Sequence, residues 1–239
     1  MELKSYVTDI RETLEQHADP VAAAAAARFF KNKETVHFYG IRAAEVRKIS
    51  TLLYEHIKGL QKQDHMQLCE WLMQSRFFEE KAIACYCSEK FSKQYERTDF
   101  NVLQRWVNTY VDNWAICDTL CNHPIGNFMM KYPDYLTELK KWAQASNRWV
   151  RRAAAVSLII PAKKGLFLDD IFEIADSLLL DKDDMVQKGY GWMLKAASQA
   201  YPDAVFHYVL SKKRNMPRTA LRYAIEKMPA DWKKEAMQK

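Results

Sequence analysis

In the stretch Asp112 to Leu120, DNWAICDTL, a tryptophan and an aspartate stand four residues apart, just after residues that cap helices well. On a helix this spacing puts Trp114 and Asp118 on one face. An indole and a carboxylate have opposite preferences for burial, so their shared face is neither an ordinary core stripe nor an ordinary solvated one. The pair suits a partner that carries or develops positive charge. The carboxylate stabilises such charge directly, and the electron-rich face of the ring does so through its quadrupole.

Such a face needs rigid elements behind it, and the composition points to helices. The 239 residues are 49% hydrophobic but hold only 6 Gly and 7 Pro, too few turn formers for a strand-rich fold, so the expected class is all-α. Lys and Arg number 36 against 30 Asp and Glu, a net charge of +6. That excess is compatible with a polyanionic partner and decides nothing alone. The cysteines Cys69, Cys85, Cys87, Cys117 and Cys121 are odd in number and lack paired CxxC spacing, so neither a disulfide framework nor a zinc site is expected. The apolar runs fall short of the roughly 20 residues that span a bilayer, and the amino-terminal stretch is charged throughout. The expectation is a soluble cytoplasmic protein.

Helical periodicity runs from Leu3 to His17, Pro20 to Lys31, Ala43 to Ile57, Asp64 to Gln74 and Phe78 to Tyr95. It continues over 99–111, 113–131, 133–145, 147–160, 167–180, 184–200, 202–212 and 216–228. The six alanines from Ala22 to Ala27 read as a closely packed helix. Aligning EKAIACYC, NWAICDTL, RRAAAVSL, QKGYGWML and RTALRYAI on their third residues gives anchors at 82, 115, 153, 189 and 220, spaced 31 to 38 residues apart. That is the period of a two-helix repeat of the HEAT type, and it predicts one superhelical domain over 1–239.

The register divides each anchored helix into two stripes. Ile83, Ile116, Ala154, Tyr190 and Leu221, with Cys87, Leu120, Leu158, Leu194 and Ile225 one turn on, form the core stripe. Lys81, Trp114, Arg152, Lys188 and Thr219, with Cys85, Asp118, Val156, Trp192 and Tyr223, lie about 200° away and should face solvent or a ligand. In a solenoid these positions converge on the concave surface. A helical tryptophan is more often core than ligand contact, and Trp71, Trp106, Trp142 and Trp149 are assigned to cores. An aspartate beside lysines is commonly just solvated. Two tryptophans, a carboxylate and two cations on one face instead suit a ligand carrying phosphates together with positive or aromatic character, such as alkylated DNA.

Other chemistries lack their motifs. There is no GxSxG, HExxH, P-loop or GxGxxG, and the six histidines show no metal spacing, so no metal and no cofactor are expected.

The segments HFYGIRAAEVRK (37–48), NWAICD (113–118), NRWVRRAAA (147–155) and DMVQKGYGWMLKAASQAYPD (184–203) resemble, in order and separation, the bacterial AlkD family of HEAT-like-repeat DNA glycosylases. The likeness covers most of the chain. It implies a catalytic aspartate at Asp118, active-site tryptophans at Trp114 and Trp192, and a phosphate-binding arginine at Arg152. It also implies DNA-backbone contacts at Lys195 and Arg47, and the register adds Lys188. Three positions depart from the family pattern. Asn113 precedes Trp114 where the family pairs two tryptophans, Ala115 replaces a common aspartate, and Phe29 stands where a tyrosine that meets DNA is common.

The implied activity is hydrolysis of the N-glycosidic bond of cationic alkylpurines, N3-methyladenine and N7-methylguanine, in duplex DNA, leaving an abasic site without base flipping. The expected protein is a monomer acting at the nucleoid, with no membrane partner. The alternative is a non-catalytic HEAT-like module that binds damaged or branched DNA. A third reading, a helical protein-binding scaffold, predicts an apolar concave surface and no DNA affinity.

Overall fold

The computed structural model describes residues 3–30 and 36–238. The chain is all-α, and among the described residues the extended pairing is one isolated parallel bridge between His37 and Phe77. It divides into two compact units, Met1–Leu120 and Cys121–Lys239. None of the described helices is long and apolar enough to cross a membrane.

The first unit opens with α1 (Leu3–Gln16), whose Val7, Ile10 and Leu14 form a buried stripe at helical spacing. In α2 (Pro20–Ala27), Asp19 caps the amides of Val21 and Ala22 and Pro20 opens the first turn. The alanine helix is not closely packed as expected, since none of its residues is buried. Its stability comes from alanine's propensity and from the cap. Lys31, the last residue of the expected 20–31 helix, lies outside the described residues. Then follow α3 (Ala43–Ile57), α4 (Lys62–Met73), α5 (Phe78–Lys90), α6 (Phe100–Thr109) and α7 (Trp114–Leu120). α5 packs on α3, α4 and α7.

The second unit begins with a π-helical segment, Cys121–Ile125, and continues through α8 (Gly126–Lys131), α9 (Leu136–Trp142), α10 (Arg148–Val156), α11 (Ile159–Lys163) and α12 (Leu168–Ser177). It ends with α13 (Asp184–Ala197), α14 (Pro202–Lys212), α15 (Arg218–Ala224) and α16 (Ala230–Met237). α10 packs on α13 and α13 on α15, so successive anchored helices are neighbours, as stacked repeats require.

Three expectations change. The single helix expected over 113–131 is interrupted by the π segment, because Pro124 has no amide to donate there. The one expected over 147–160 ends at Val156, because Pro161 cannot bond the carbonyl four residues back. α16 was not anticipated: of its side chains only Ala236 is buried, so it carries no apolar stripe to read.

All ten core-stripe positions are buried, nine of them completely. Trp106, Trp142 and Trp149 are buried as well, while Trp71 is partly exposed. The five thiols are free and buried. Burial holds the Cys69 and Cys85 thiols well above their ordinary range and raises that of Cys87 to about 12.

Candidate functional site

Asn113 caps α7. Its Oδ1 accepts from the amides of Ala115 and Ile116, both at 3.0 Å, and its Nδ2 donates to Asp112 Oδ1 at 2.7 Å. From α5, the Lys81 ammonium donates to the other Asp112 carboxylate oxygen and, at 2.9 Å, to the carbonyl of Tyr110. The departure at Asn113 therefore has a local reason: a short amide satisfies amides at the helix start that an indole could not.

Trp114 and Asp118 then occupy successive turns of one face, and both are partly exposed. One face of the Trp114 ring stacks on Phe30, with centroids 5.6 Å apart and planes inclined by 17°. Phe30 in turn leans on Phe38 at 5.4 Å and on Phe78 at 6.3 Å. Phe29, the residue singled out from sequence, is 79% exposed, and its neighbour Phe30 is the ring that meets Trp114. Phe30 lies outside the repeat register, at the end of the helical stretch expected over 20–31, and only the adjacent aromatic pair marks it in the sequence.

The segment carrying Phe38 is pinned by two buried carboxylates at the start of α5. Glu79 accepts from the amides of Tyr39 (3.1 Å), Gly40 (2.9 Å) and Ile41 (3.2 Å). Glu80 accepts from the Tyr39 hydroxyl at 3.1 Å and from Arg11 Nε at 3.0 Å. Burial, with the Glu80 charge second, raises the Tyr39 phenol and keeps it a donor. Gly40 has φ +91°, and a Cβ there would lie 2.1 Å from the Asp19 carbonyl oxygen, so only glycine fits. On α3, exposed Arg47 places its guanidinium 4.6 Å from the centre of the Tyr86 ring.

In the second unit, Arg152 is 5% exposed, and its guanidinium donates to the carbonyl of Met185 on α13. Its stem lies where a side chain at 189 would be, since a Cβ on Gly189 would come 3.2 Å from Arg152 Cγ. On α13, Lys188 pairs with Asp184 at 2.9 Å, and Trp192, one turn on, is partly exposed. Lys195 pairs with Glu226 at 2.9 Å and sits 5.4 Å from the Tyr223 ring centre. The hydrogen bond from Lys195 holds the Glu226 carboxyl below its usual range.

The second stripe is thus not uniformly solvent-facing. Trp114, Asp118, Lys188, Trp192, Thr219 and Tyr223 are partly exposed, whereas Lys81, Cys85, Arg152 and Val156 are buried. The side of a stacked helix opposite its core stripe is partly covered by the next repeat. Lys81 is drawn towards the segment ahead of α7, and Arg152 onto α13 by the space at Gly189.

Chemically, α7 offers a ring face and a carboxylate one turn apart, an arrangement that stabilises a cation. A family model described as "DNA alkylation repair enzyme" matches residues 10–228. No curated protein matches significantly. Among solved structures, a predicted DNA alkylation repair enzyme from Enterococcus faecalis is 19% identical with TM-score 0.79, the match covering 90% of this chain and 98% of that one. AlkD2 from Streptococcus mutans is 21% identical with TM-score 0.59, covering 87% and 100%. The smu.31 protein from Streptococcus mutans UA159 is 20% identical with TM-score 0.57, covering 78% and 92%. At these identities the likeness establishes a shared fold.

Proposed function

This chain belongs to the DNA alkylation repair enzyme family, and on that premise we propose that it is a monofunctional DNA glycosylase. It releases cationic alkylpurines, N3-methyladenine and N7-methylguanine, from duplex DNA and leaves an abasic site. The observation that carries this reading is the pairing of Trp114 and Asp118 on one accessible face of a helix whose first turn is capped and braced.

A purine alkylated at N3 or N7 already bears positive charge and departs as a neutral base, so no strong general acid is needed. What needs help is the deoxyribose, which gains oxocarbenium character as the bond breaks. Asp118 stabilises that charge and positions water for attack at the anomeric carbon. The ring of Trp114 favours the same cationic state, and the family resemblance extends this role to Trp192. Arg47, Lys188 and Lys195 supply backbone affinity without reading sequence. Arg152 adds to it from a guanidinium already oriented by the Met185 carbonyl.

The test is base release from methylated duplex DNA by the wild type and by Asp118→Asn. The wild type should exceed the spontaneous rate, and the variant should lose about 100-fold or more, the usual effect of removing a transition-state charge stabiliser. A wild type that binds duplex DNA without releasing base overturns the enzyme reading and leaves a non-catalytic DNA-binding module.

A further inference from the structure

The helices that carry Trp114 and Trp192, α7 and α13, start in a similar way. At α7, Lys81 from the preceding anchored helix engages the Asp112 carboxylate, Asp112 accepts from the Asn113 amide, and Asn113 caps the helix. At α13, Arg151 from α10 donates to Asp181 Oδ2 at 2.6 Å and to the carbonyls of Ala145 (2.9 Å) and Ser146 (2.7 Å). Asp181 Oδ1 accepts from the amide of Asp183 at 2.9 Å, and the Asp183 carboxylate accepts from the amide of Met185 at 2.9 Å. Each relay runs from a cation through a carboxylate to an Asp or Asn cap. Of the other anchored helices, α10 starts at an Asn147 cap, and α5 and α15 begin after Phe77 and Pro217 with no side-chain cap.

The relay has a directional consequence at Asn113. A cap must present oxygen to the helix amides, yet an asparagine can offer either its oxygen or its NH2 group. Asp112 can only accept, so it draws the NH2 to itself and leaves Oδ1 for Ala115 and Ile116. Asp112 is half exposed, whereas the Lys81 side chain is 6% exposed, so the lysine fixes the carboxylate from inside the protein. Trp114 and Asp118 lie on the first two turns of the helix that this cap starts, and the placement of both side chains follows from it.

We infer that Lys81 is a positioning residue: acting through Asp112 and Asn113, it sets the orientation of Trp114 and Asp118 for base release, and Arg151 does the same for the helix of Trp192. The catalytic part of this inference rests on the glycosylase reading, while the orienting part does not.

The test compares Lys81→Met and Lys81→Arg with the wild type in three measurements: single-turnover base release, duplex affinity, and amide hydrogen exchange at Ala115 and Ile116. Methionine fills the lysine's volume and leaves the half-exposed Asp112 to water, avoiding a stranded buried charge. Lys81→Met should keep duplex affinity within about twofold while base release slows about 10- to 100-fold, the scale of misplaced reacting groups. Exchange at the two capped amides should quicken, and Lys81→Arg should recover most of the rate. A folded Lys81→Met with wild-type release, or a parallel loss of rate and affinity that arginine does not rescue, overturns the inference. If the wild type itself releases no base, the glycosylase reading fails, and exchange alone decides: unchanged protection at Ala115 and Ile116 then rules out the relay.

Discussion

Glu70 shows how one buried carboxylate makes the first unit sensitive to acid. It accepts from Arg105 Nη2 at 2.6 Å, from the indole of buried Trp106 and from the Tyr110 hydroxyl at 2.7 Å. Burial alone would raise its pKa, but these three donors outweigh burial and hold it below the usual glutamate range. Because the folded-state value is depressed, the stabilisation is complete above the unfolded value of about 4.3 and is lost as the pH falls through the folded one. Glu70→Gln should cost about 2 kcal/mol at pH 7, the worth of charge-assisted bonds, with the deficit shrinking towards pH 3. Urea midpoints of both proteins across that range measure it, and a deficit independent of pH would refute the assignment. At this same scale the sequence was partly legible. The i, i+4 spacing of Trp114 and Asp118 put both on one face, and both are partly exposed. Phe30 was not legible, because it meets Trp114 from outside the repeat register.

Small residues let neighbouring helices approach closely, as α13 and α15 illustrate. A Cβ on Gly191 would lie 2.7 Å from Tyr223 Cβ and 2.8 Å from the Ala220 carbonyl oxygen, neither of which can yield without moving α15. Gly191→Ala should therefore destabilise by about 1–3 kcal/mol through overpacking, although the same change inside an unencumbered helix would gain about 1 kcal/mol. Chemical denaturation gives the sign directly, and a stabilised variant would show that the helices part more easily than this packing allows. The small-residue register was readable because close approach demands Ala or Gly at fixed intervals, and its core positions are buried as that logic requires. The opposite stripe is less legible: expected to face solvent or a ligand about 200° from the core, it also holds the buried side chains of Lys81 and Arg152, which lie against neighbouring repeats. The prolines behind the two helix breaks, Pro124 and Pro161, are visible in the sequence, yet the surrounding apolar periodicity runs across them.

Across the whole molecule the net charge of +6 is modest, and Lys188 and Lys195 are engaged in ion pairs with Asp184 and Glu226. DNA binding through the four proposed cations, Arg47, Arg152, Lys188 and Lys195, would exchange such exposed pairs, each worth little, for phosphates. If each neutralises one phosphate, duplex affinity should fall with a log–log salt slope of about −4, and each single alanine substitution should flatten it by about 1. A salt titration of the binding constant checks this, and a slope unmoved by the substitutions would place the contacts elsewhere. The buried thiols have a practical consequence. Only the thiolate reacts with alkylating or disulfide reagents, and in the folded protein every cysteine is shielded from them. Cys69, Cys85, Cys87 and Cys117 lie in the first compact unit and Cys121 in the second. The chain therefore carries its own clock for transient opening: the rate at which each cysteine is tagged times the excursions of its unit, with no engineered label.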